Sequence, residues 1–376
     1  MASILIVGDF FPVPTNFTRF QQADVSYLLG DRLCDLFRSA DYRICNLEGA
    51  LTDKPGRCEK TGPSLYAPTA SVNAYTALGI NCCTLANNHI TDAGSEGLLD
   101  TVATLEKAGI KHLGAGQLPD IRRHIFFEVG GKNICLYNVA ETMYNAPTQD
   151  RPGAFLYDEY LVCRELEQLK KQADYLIVVY HGGAEKFRYP SPQTRLRFHR
   201  MVDSGADMIL SQHTHCVGSE EYYKGAYLLY GQGNFLFRSF NNEFTDTGLA
   251  IELLLDEKGF AVKKHMVRAV EDRAVYDEKQ DFSDFDMRSS RLDDEEFLQK
   301  AFTEYCKGEL PLYLKAFKGK YPFYRVLERF FPKCSDRMVQ NGYIRRKLLF
   351  TLHSLRSEQN REVAIKGIEA LLSEQE

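Results

Sequence analysis

No stretch of this sequence approaches the roughly 18 consecutive apolar residues that a membrane helix needs. Its N-terminal apolar run, Ile4 to Val7, stops at Gly8 and Asp9. No basic segment precedes that run, so the start reads as a first strand and not as a signal peptide. No membrane span is expected. Positive charge is also in short supply: 46 Lys and Arg against 51 Asp and Glu give a net charge of -5. That balance argues against a general nucleic-acid binder. None of the ten cysteines forms a CxxC pair, and several sit inside apolar runs such as RICNL and NICLYNV. Free buried thiols in a reducing compartment account for that placement, and a cytoplasmic location is expected. The chain has no GxxxxGK[ST] phosphate loop, no GxGxxG opening a helix after a strand and no GxSxG elbow. Nucleotide-loop and serine-hydrolase chemistries lose their usual signatures.

What is present is ordinary globular composition, 44% apolar and 26% charged, in a chain of 376 residues. That is enough for a large core and a second, smaller unit. The first two thirds alternate β-branched runs with helical spacing. Strands are expected at Ile4 to Val7, Tyr42 to Leu47, Cys82 to Leu85, Ile134 to Val139, Tyr175 to Tyr180 and Met208 to Ser211. Helical patterns fill Ala23 to Arg38, Thr69 to Ala77, Gly97 to Ala108, Tyr160 to Gln172 and Gln193 to Asp203. This rhythm predicts a layered α/β domain over residues 1–270. Beyond Glu220 the pattern predicts further strands, with a hairpin turn at Glu257 to Gly259. Residues 271–376 read as a charged stretch followed by a mostly helical extension. Its basic cluster (Arg345, Arg346, Lys347) and aromatics (Tyr321, Phe323, Tyr324, Phe330, Phe331) are either a partner surface or core beside a solvated face.

In parallel α/β folds, sites form at the carboxyl ends of strands. Polar residues gather there in this chain. Asp9 follows the first run, Asn46 and Glu48 the second, Asn88 and His89 the third, His181 the fifth, and His213 and His215 the sixth. If the HxH segment is extended, its two imidazoles share a face. Carboxylates and imidazoles together suit Mn, Fe or Zn. Two ions about 3.5–4 Å apart could share one carboxylate and one water. Each residue alone has an ordinary explanation: Asp9 as a helix cap, Glu48 as a turn residue, Asn88 in an Asx turn, His89 as a space filler. The set, each member after a different strand, is what points to a metal site. His112, His124, His199 and His265 lack that placement. Asn234, in the glycine-rich GQGNF, is expected either to hold a tight loop or to contact substrate.

The order of these stretches resembles the bacterial capsule-synthesis protein family named for poly-gamma-glutamate capsule formation, a branch of the calcineurin-like metallophosphoesterase superfamily. The matching segments are VGDF, ADYRICNLEGALTD, LGINCCTLANNHITDAGSEGLLDTVATLEKAGIKHLGAG, VVYHGG, DSGADMILSQHTHCVGSEEYYKG and LLYGQGNFLF, within residues 4–237. The resemblance implies a four-layer α/β/β/α sandwich and a dinuclear divalent metal site of Mn, Fe or Zn. Carried over by position, Asp9 and His215 are ligands of the first ion, and Glu48 bridges. Asn88, His181 and His213 are ligands of the second, and His89 is the general acid or charge stabiliser, with Asn46 and Asn234 near substrate or loop.

The implied chemistry is metal-dependent hydrolysis of a phosphoester or of an amide-linked anionic polymer such as poly-gamma-glutamate. The alternative is a non-catalytic assembly factor that binds a polyanion in the same pocket. Either way the expected partner is an anionic small molecule or polymer. Several positions depart from the superfamily pattern. Asp9-Phe10-Phe11 stands where DxH is common, SQHTH where relatives read GHHPH, and no tryptophan follows His181 in VVYHGG.

Overall fold

The computed structural model describes residues 2–56, 58, 60, 62–237, 242–257, 259–317 and 345–373. The aromatic residues Tyr321, Phe323, Tyr324, Phe330 and Phe331 lie outside these, as do the side chains of Arg345 and Arg346. Contacts divide the chain into Met1–Cys58 with Ser64–Leu298, and Glu59–Pro63 with Gln299–Glu376. Residues 271–298 thus fall with the first unit.

That unit is built on two mixed sheets. In spatial order the larger runs β18 (Arg273–Tyr276), β17 (Phe260–Val270), β16 (Thr247–Leu255), β1 (Ala2–Phe10), β2 (Tyr42–Asn46), β5 (Cys82–Thr84) and β6 (Lys111–Leu113). Strand β15 (Asn234–Leu236) pairs parallel with the end of β1. The second sheet runs β13 (Glu220–Tyr223), β14 (Ala226–Leu229), β12 (Met208–Gln212), β11 (Tyr175–His181), β9 (Lys132–Ala140) and β8 (His124–Val129). Two short ribbons, β3 (Ala50–Leu51) with β4 (Tyr66–Ala67) and β7 (Ala115–Gly116) with β10 (Gly153–Ala154), border them.

Each sheet has a parallel centre, β1-β2-β5-β6 in one and β9-β11-β12-β14 in the other. The antiparallel strands β16 and β8 join those centres from the side. Such centres are buried on both faces, which explains why their strands read as near-continuous apolar runs.

The alternation of side chains along a strand assigns the layers. On β1, Leu5 and Val7 join a core with helices α2 (Val25–Ser39), α3 (Val72–Ala77) and α4 (Gly94–Lys107), whereas Ile4 and Ile6 face the other way. There they meet Ile177 and Val179 of β11 and Leu136 of β9, so the second core lies between the two sheets. On β11 the remaining residues, Leu176, Val178 and Tyr180, pack under α5 (Glu159–Lys170) and α6 (Pro192–Asp203) through Val162, Leu166, Phe198 and Met201. Three apolar layers between four layers of backbone make the α/β/β/α sandwich. Burying each such aliphatic side chain contributes about 1.5–3 kcal/mol, far more than an exposed ion pair.

Helix α5 starts at Asp158, whose carboxylate accepts from Leu161 N at 2.8 Å, and α6 starts at Ser191 with Pro192 in its first position. The hairpin between β16 and β17 pairs Leu255 with Phe260. Several elements had no counterpart in the sequence reading, three of them substantial. Strand β8 (HIFFEV) pairs with β9 through a Gly130-Gly131 turn, and β18 with α7 (Ser283–Ser289) lies inside the charged stretch.

The second unit is helical in its described part: most of α8 (Glu295–Phe317), then α9 (Arg345–Arg356) and α10 (Glu358–Ser373). Helix α10 crosses α8 where Gly367 faces Cys306, and a Cβ there would lie 2.8 Å from the Cys306 carbonyl. Only glycine permits that approach. Among the described residues no helix is long and apolar enough to cross a membrane, and all nine cysteines are free thiols.

Candidate metal centre

The parallel centres of both sheets end in one place. From the larger sheet come Asp9 near the end of β1, Asn46 as the last residue of β2, Glu48 two residues on, and Asn88 and His89 in the turn after β5. From the second sheet come His181, the last residue of β11, and His213 and His215 just past β12. Each lies where a strand hands over to a loop, so the sandwich itself brings distant parts of the sequence together.

Two groups of ligand atoms lie within 4.8 Å of one another: Asp9, Glu48 and His215, and Glu48, His181 and His213. Glu48 belongs to both. His215 Nδ1 is 3.5 Å from Asp9 Oδ2, His215 Nε2 is 4.0 Å from Glu48 Oε1, and His181 Nε2 is 3.5 Å from the same oxygen. Asn88 Oδ1 is 2.9 Å from His181 Nε2. The rings of His181 and His213 are 5.0 Å apart, and those of His213 and His215 are 5.9 Å apart.

The remaining contacts aim these groups. Asn46 donates from Nδ2 to Asp9 Oδ1 at 2.7 Å and accepts at Oδ1 from Asn87 Nδ2 at 3.3 Å. Asn46 is fully buried and orients Asp9. Asn234 Oδ1 sits 2.8 Å from His215 Nδ1 and anchors its own amide on the Thr245 carbonyl at 2.9 Å. That bond occupies Nδ1 and leaves Nε2 of His215 as the ring nitrogen that could hold an ion. His89 Nδ1 is 2.6 Å from Asp92 Oδ2, and Tyr144 donates to Asp92 Oδ1 at 3.2 Å and to the Asn88 carbonyl at 2.6 Å.

The polar set is expensive without a cation. Asp9 Oδ2 and both oxygens of Glu48 are buried and accept no hydrogen bond from the described residues. Burial, and then the neighbouring Asp9 charge, push the Glu48 carboxyl well above its ordinary value. Burial raises Asp9 as well, against the opposing charge of His215. Burial, then the proximity of His213 and His215, hold His181 well below an ordinary imidazole. Buried carboxylates beside imidazoles are the donor set of a divalent transition-metal site, and an ion there would satisfy the bare oxygens. The residues fit the group.

The extended HxH geometry is corrected by the structure. His213 and His215 both take positive φ, 88° and 52°, in a bend beyond the end of β12. Their rings reach separate groups because the backbone curls, not because alternate residues share a strand face. Non-glycine residues rarely adopt such angles, and they persist where surroundings over-determine them. Here the Lys186 amide donates to the Thr214 carbonyl at 2.7 Å and the Gly218 amide to the Gly231 carbonyl at 2.9 Å, pinning the bend from two sides.

Several site residues escaped the sequence reading. Asp92 stands three residues after His89, a spacing that a turn could have suggested. Asn87 bonds the Leu47 carbonyl at 2.9 Å, and Asn145 bonds the Asn87 carbonyl at 2.7 Å. Glu141, just past the end of β9, is buried and accepts from the Gly183 amide at 3.0 Å, fixing the loop after His181. Against desolvation, the charges of His213, His215, Lys186 and His89 together hold the Glu185 carboxyl, on a residue that is itself exposed, below its ordinary value. Asn145, Glu141 and Glu185 sit in loops without sequence periodicity, so only the fold reveals them.

Two face-to-face mixed sheets with helices outside and a carboxylate–histidine cluster at their shared end define a metallophosphatase-like α/β sandwich. The family model described as bacterial capsule synthesis protein PGA_cap matches residues 3–239, and the chain belongs to that family. Among curated relatives, the capsule biosynthesis protein CapA of Bacillus anthracis is 27% identical over 60% of this chain and 57% of its own length. The PGA biosynthesis protein CapA of Bacillus subtilis is 29% identical over 54% of each chain. A probable polyglutamine synthesis accessory protein of Mycobacterium tuberculosis is 33% identical over 54% of this chain and 58% of its own. The chain thus spans little more than half the length of the curated relatives it matches. Among solved structures, a phosphatase from Mycoplasma pneumoniae aligns over 76% of this chain and 98% of its own at 16% identity, with a TM-score of 0.48.

Proposed function

We propose that this protein is a metal-dependent hydrolase acting on a phosphoester or an amide-linked anionic polymer such as poly-gamma-glutamate, in the synthesis of a capsule or other extracellular polymer. The observation that supports it is Glu48, a buried carboxylate shared by two ligand groups, with both oxygens bare of hydrogen bonds. The names of the curated relatives supply the polymer, and the donor set supplies the chemistry.

Asp9, Glu48 and His215 would hold one divalent ion, and Glu48, Asn88, His181 and His213 a second, of Mn, Fe or Zn. Bound ions of this kind lower the pKa of water and polarise a phosphoryl or carbonyl oxygen. The chain's own contribution is placement and proton handling. Asn46 and Asn234 hold Asp9 and His215 in their orientations. The Asp92 carboxylate lies against His89 Nδ1, which leaves Nε2 to hold a proton for a leaving group. Tyr144 keeps Asp92 in place and ties it to the Asn88 backbone.

The second reading, a polyanion-binding assembly factor without turnover, draws on one observation. Phe11 stands where the superfamily pattern offers an imidazole, and it is buried against Gly49. The deciding experiment is elemental analysis of the native protein beside a His213→Ala/His215→Ala variant, followed by turnover assays on phosphoesters and γ-glutamyl amides. About two ions per native chain, lost in the variant without unfolding, together with metal-dependent turnover support the hydrolase. No bound metal after incubation with Mn, Zn or Fe sinks that mechanism and leaves the binding role.

A further inference from the structure

A separate cavity of about 740 Å³ opens beside the centre, and none of the proposed metal ligands lines it. Its walls include Arg188, from the loop that begins at His181, and Val217, from the bend that carries His213 and His215. Arg288 of α7 joins them. The two loops are tied by the Lys186–Thr214 backbone bond, so the cavity and the metal centre share their scaffold.

The two arginines are arranged differently. Arg288 donates from Nε to the Gly218 carbonyl at 3.1 Å and from Nη2 to the Val217 carbonyl at 3.4 Å. It makes no ion pair among the described residues. Arg188 is pinned with its guanidinium 4.4 Å above the Phe244 ring, and its Nε is buried without a hydrogen-bond partner among the described residues. Its single ion pair among those residues is loose, 4.0 Å to a largely exposed Glu243. Both guanidinium charges act on the buried Cys216 thiol, and burial followed by the Arg188 charge depresses Arg288.

The cavity wall also carries six carboxylates, Glu243, Asp246, Glu271, Asp277, Asp281 and Asp284, against the four basic residues Arg188, Arg268, Lys279 and Arg288, and three of the acids are already engaged. Asp277 pairs with Arg268 at 2.5 Å, Asp281 accepts from Ser283, and Asp246 accepts from the Asn242 amide. Arg188 and Arg288 both line this cavity, the Arg188 charge acts on Arg288 against the milder help of Asp284, and a guanidinium fork suits carboxylate and phosphate alike.

We infer that Arg188 and Arg288 form an anion-binding subsite, which takes an acidic group of a polyanionic chain while another part of that chain lies at the metal centre. The proposal rests on the hydrolase reading for the second half of that statement only. The subsite binds whether or not the chain is cleaved.

Calorimetric titration of the full chain tests it, with two probes, a short γ-linked glutamate oligomer and tripolyphosphate, each with metal-loaded and with chelator-treated protein. Arg188→Gln is expected to weaken binding of the preferred probe by about tenfold or more, in both metal states and more so at low salt. Arg188→Lys restores part of the loss, because the charge returns without the fork. Arg288→Gln serves as the second variant, with circular dichroism to show that the loop it braces is intact. Preference for the glutamate oligomer names carboxylate as the ligand group, and preference for tripolyphosphate names phosphate. Unchanged affinity of both probes in Arg188→Gln overturns the subsite, whatever the turnover assays show. Absence of turnover with Arg188-dependent binding retained overturns the hydrolase reading alone.

Discussion

Replacing Glu48 by glutamine keeps its volume and removes its charge, and the structure predicts opposite effects on stability with and without metal. In the metal-free protein both Glu48 oxygens are buried, bare of hydrogen bonds and close to a second carboxyl. Its pKa is raised in the fold, by burial first and by Asp9 next. A raised carboxyl favours folding fully below the unfolded value near 4.5, and that contribution is lost as pH rises through the folded value. Metal-free wild type should therefore lose stability between pH 5 and pH 8, to the extent that Glu48 governs it. Glu48→Gln removes that slope. Unsatisfied buried polar groups cost about 1–3 kcal/mol, more when charged, and roughly 2 °C of Tm follows each kcal/mol in a unit of this size. Metal-free Glu48→Gln should thus melt about 2–6 °C above metal-free wild type at pH 8, and near it at pH 5.

With ions at about one hundred times their Kd, wild type gains roughly 2.7 kcal/mol for each ion, or about 5 °C, whereas the variant loses its bridging oxygen and gains little. Differential scanning calorimetry of chelator-treated and Mn-loaded samples at the two pH values measures all four states. A metal-free variant less stable than wild type at pH 8, with a metal-induced shift equal to that of wild type, would refute the reasoning. It would mean that Glu48 is satisfied without a cation.

Asp92→Asn should lower turnover by about 10²- to 10⁴-fold while bound metal stays unchanged, because it disturbs the proton on His89 and no ligand; elemental analysis beside steady-state kinetics checks both halves. His215→Ala should cost the ion held with Asp9, and His181→Ala the ion held with Asn88, each leaving about one ion per chain by elemental analysis. Chelation should abolish turnover, and Mn, Fe or Zn should restore it within the assay. Gly49 has φ 149°, and a Cβ there would lie 2.6 Å from Phe11 Cζ and 2.9 Å from the Leu65 carbonyl. Gly49→Ala should therefore displace Glu48, lowering metal content and costing about 1–3 kcal/mol in chemical denaturation.

The central strands were legible because burial on both faces writes them as short apolar runs between helical patterns, as in ILIV before Gly8 and LIVVY before His181. The antiparallel edges were harder to see. In β8, HIFFEV alternates buried with half-buried or exposed positions, and it carries no assignment from sequence alone until β9 supplies its partner. Strand β18 and helix α7 were hidden by composition. Asp284 and Asp286 face solvent and Arg288 bonds backbone carbonyls, while Ala274 and Phe285 go inward. Charge density in a stretch reports its exposed face and says little about whether the other face is packed.

The site was legible to the extent that its members sit on strand ends, since a strand end is a position that sequence can mark. Asp9, Asn46, Glu48, His181 and the HxH pair all carry that mark, and the sandwich then does the assembly. What sequence could not supply is the backbone path past the strand end. His213 and His215 were placed on one face by alternation, yet alternation ceases at Gln212, where β12 stops. Beyond it the chain takes two left-handed residues in three, and the rings diverge to serve groups on either side of Glu48. An extended HxH would point both imidazoles the same way and crowd one ion. The bend lets neighbouring histidines join separate groups of candidate ligand atoms, and its strain is held by backbone bonds from the loops after β11 and β14. The supports of the centre, Asp92, Tyr144, Glu141 and Asn87, follow the same logic. They act through loop geometry, which leaves no periodic trace, so spacing arguments find ligands more readily than the residues that hold them.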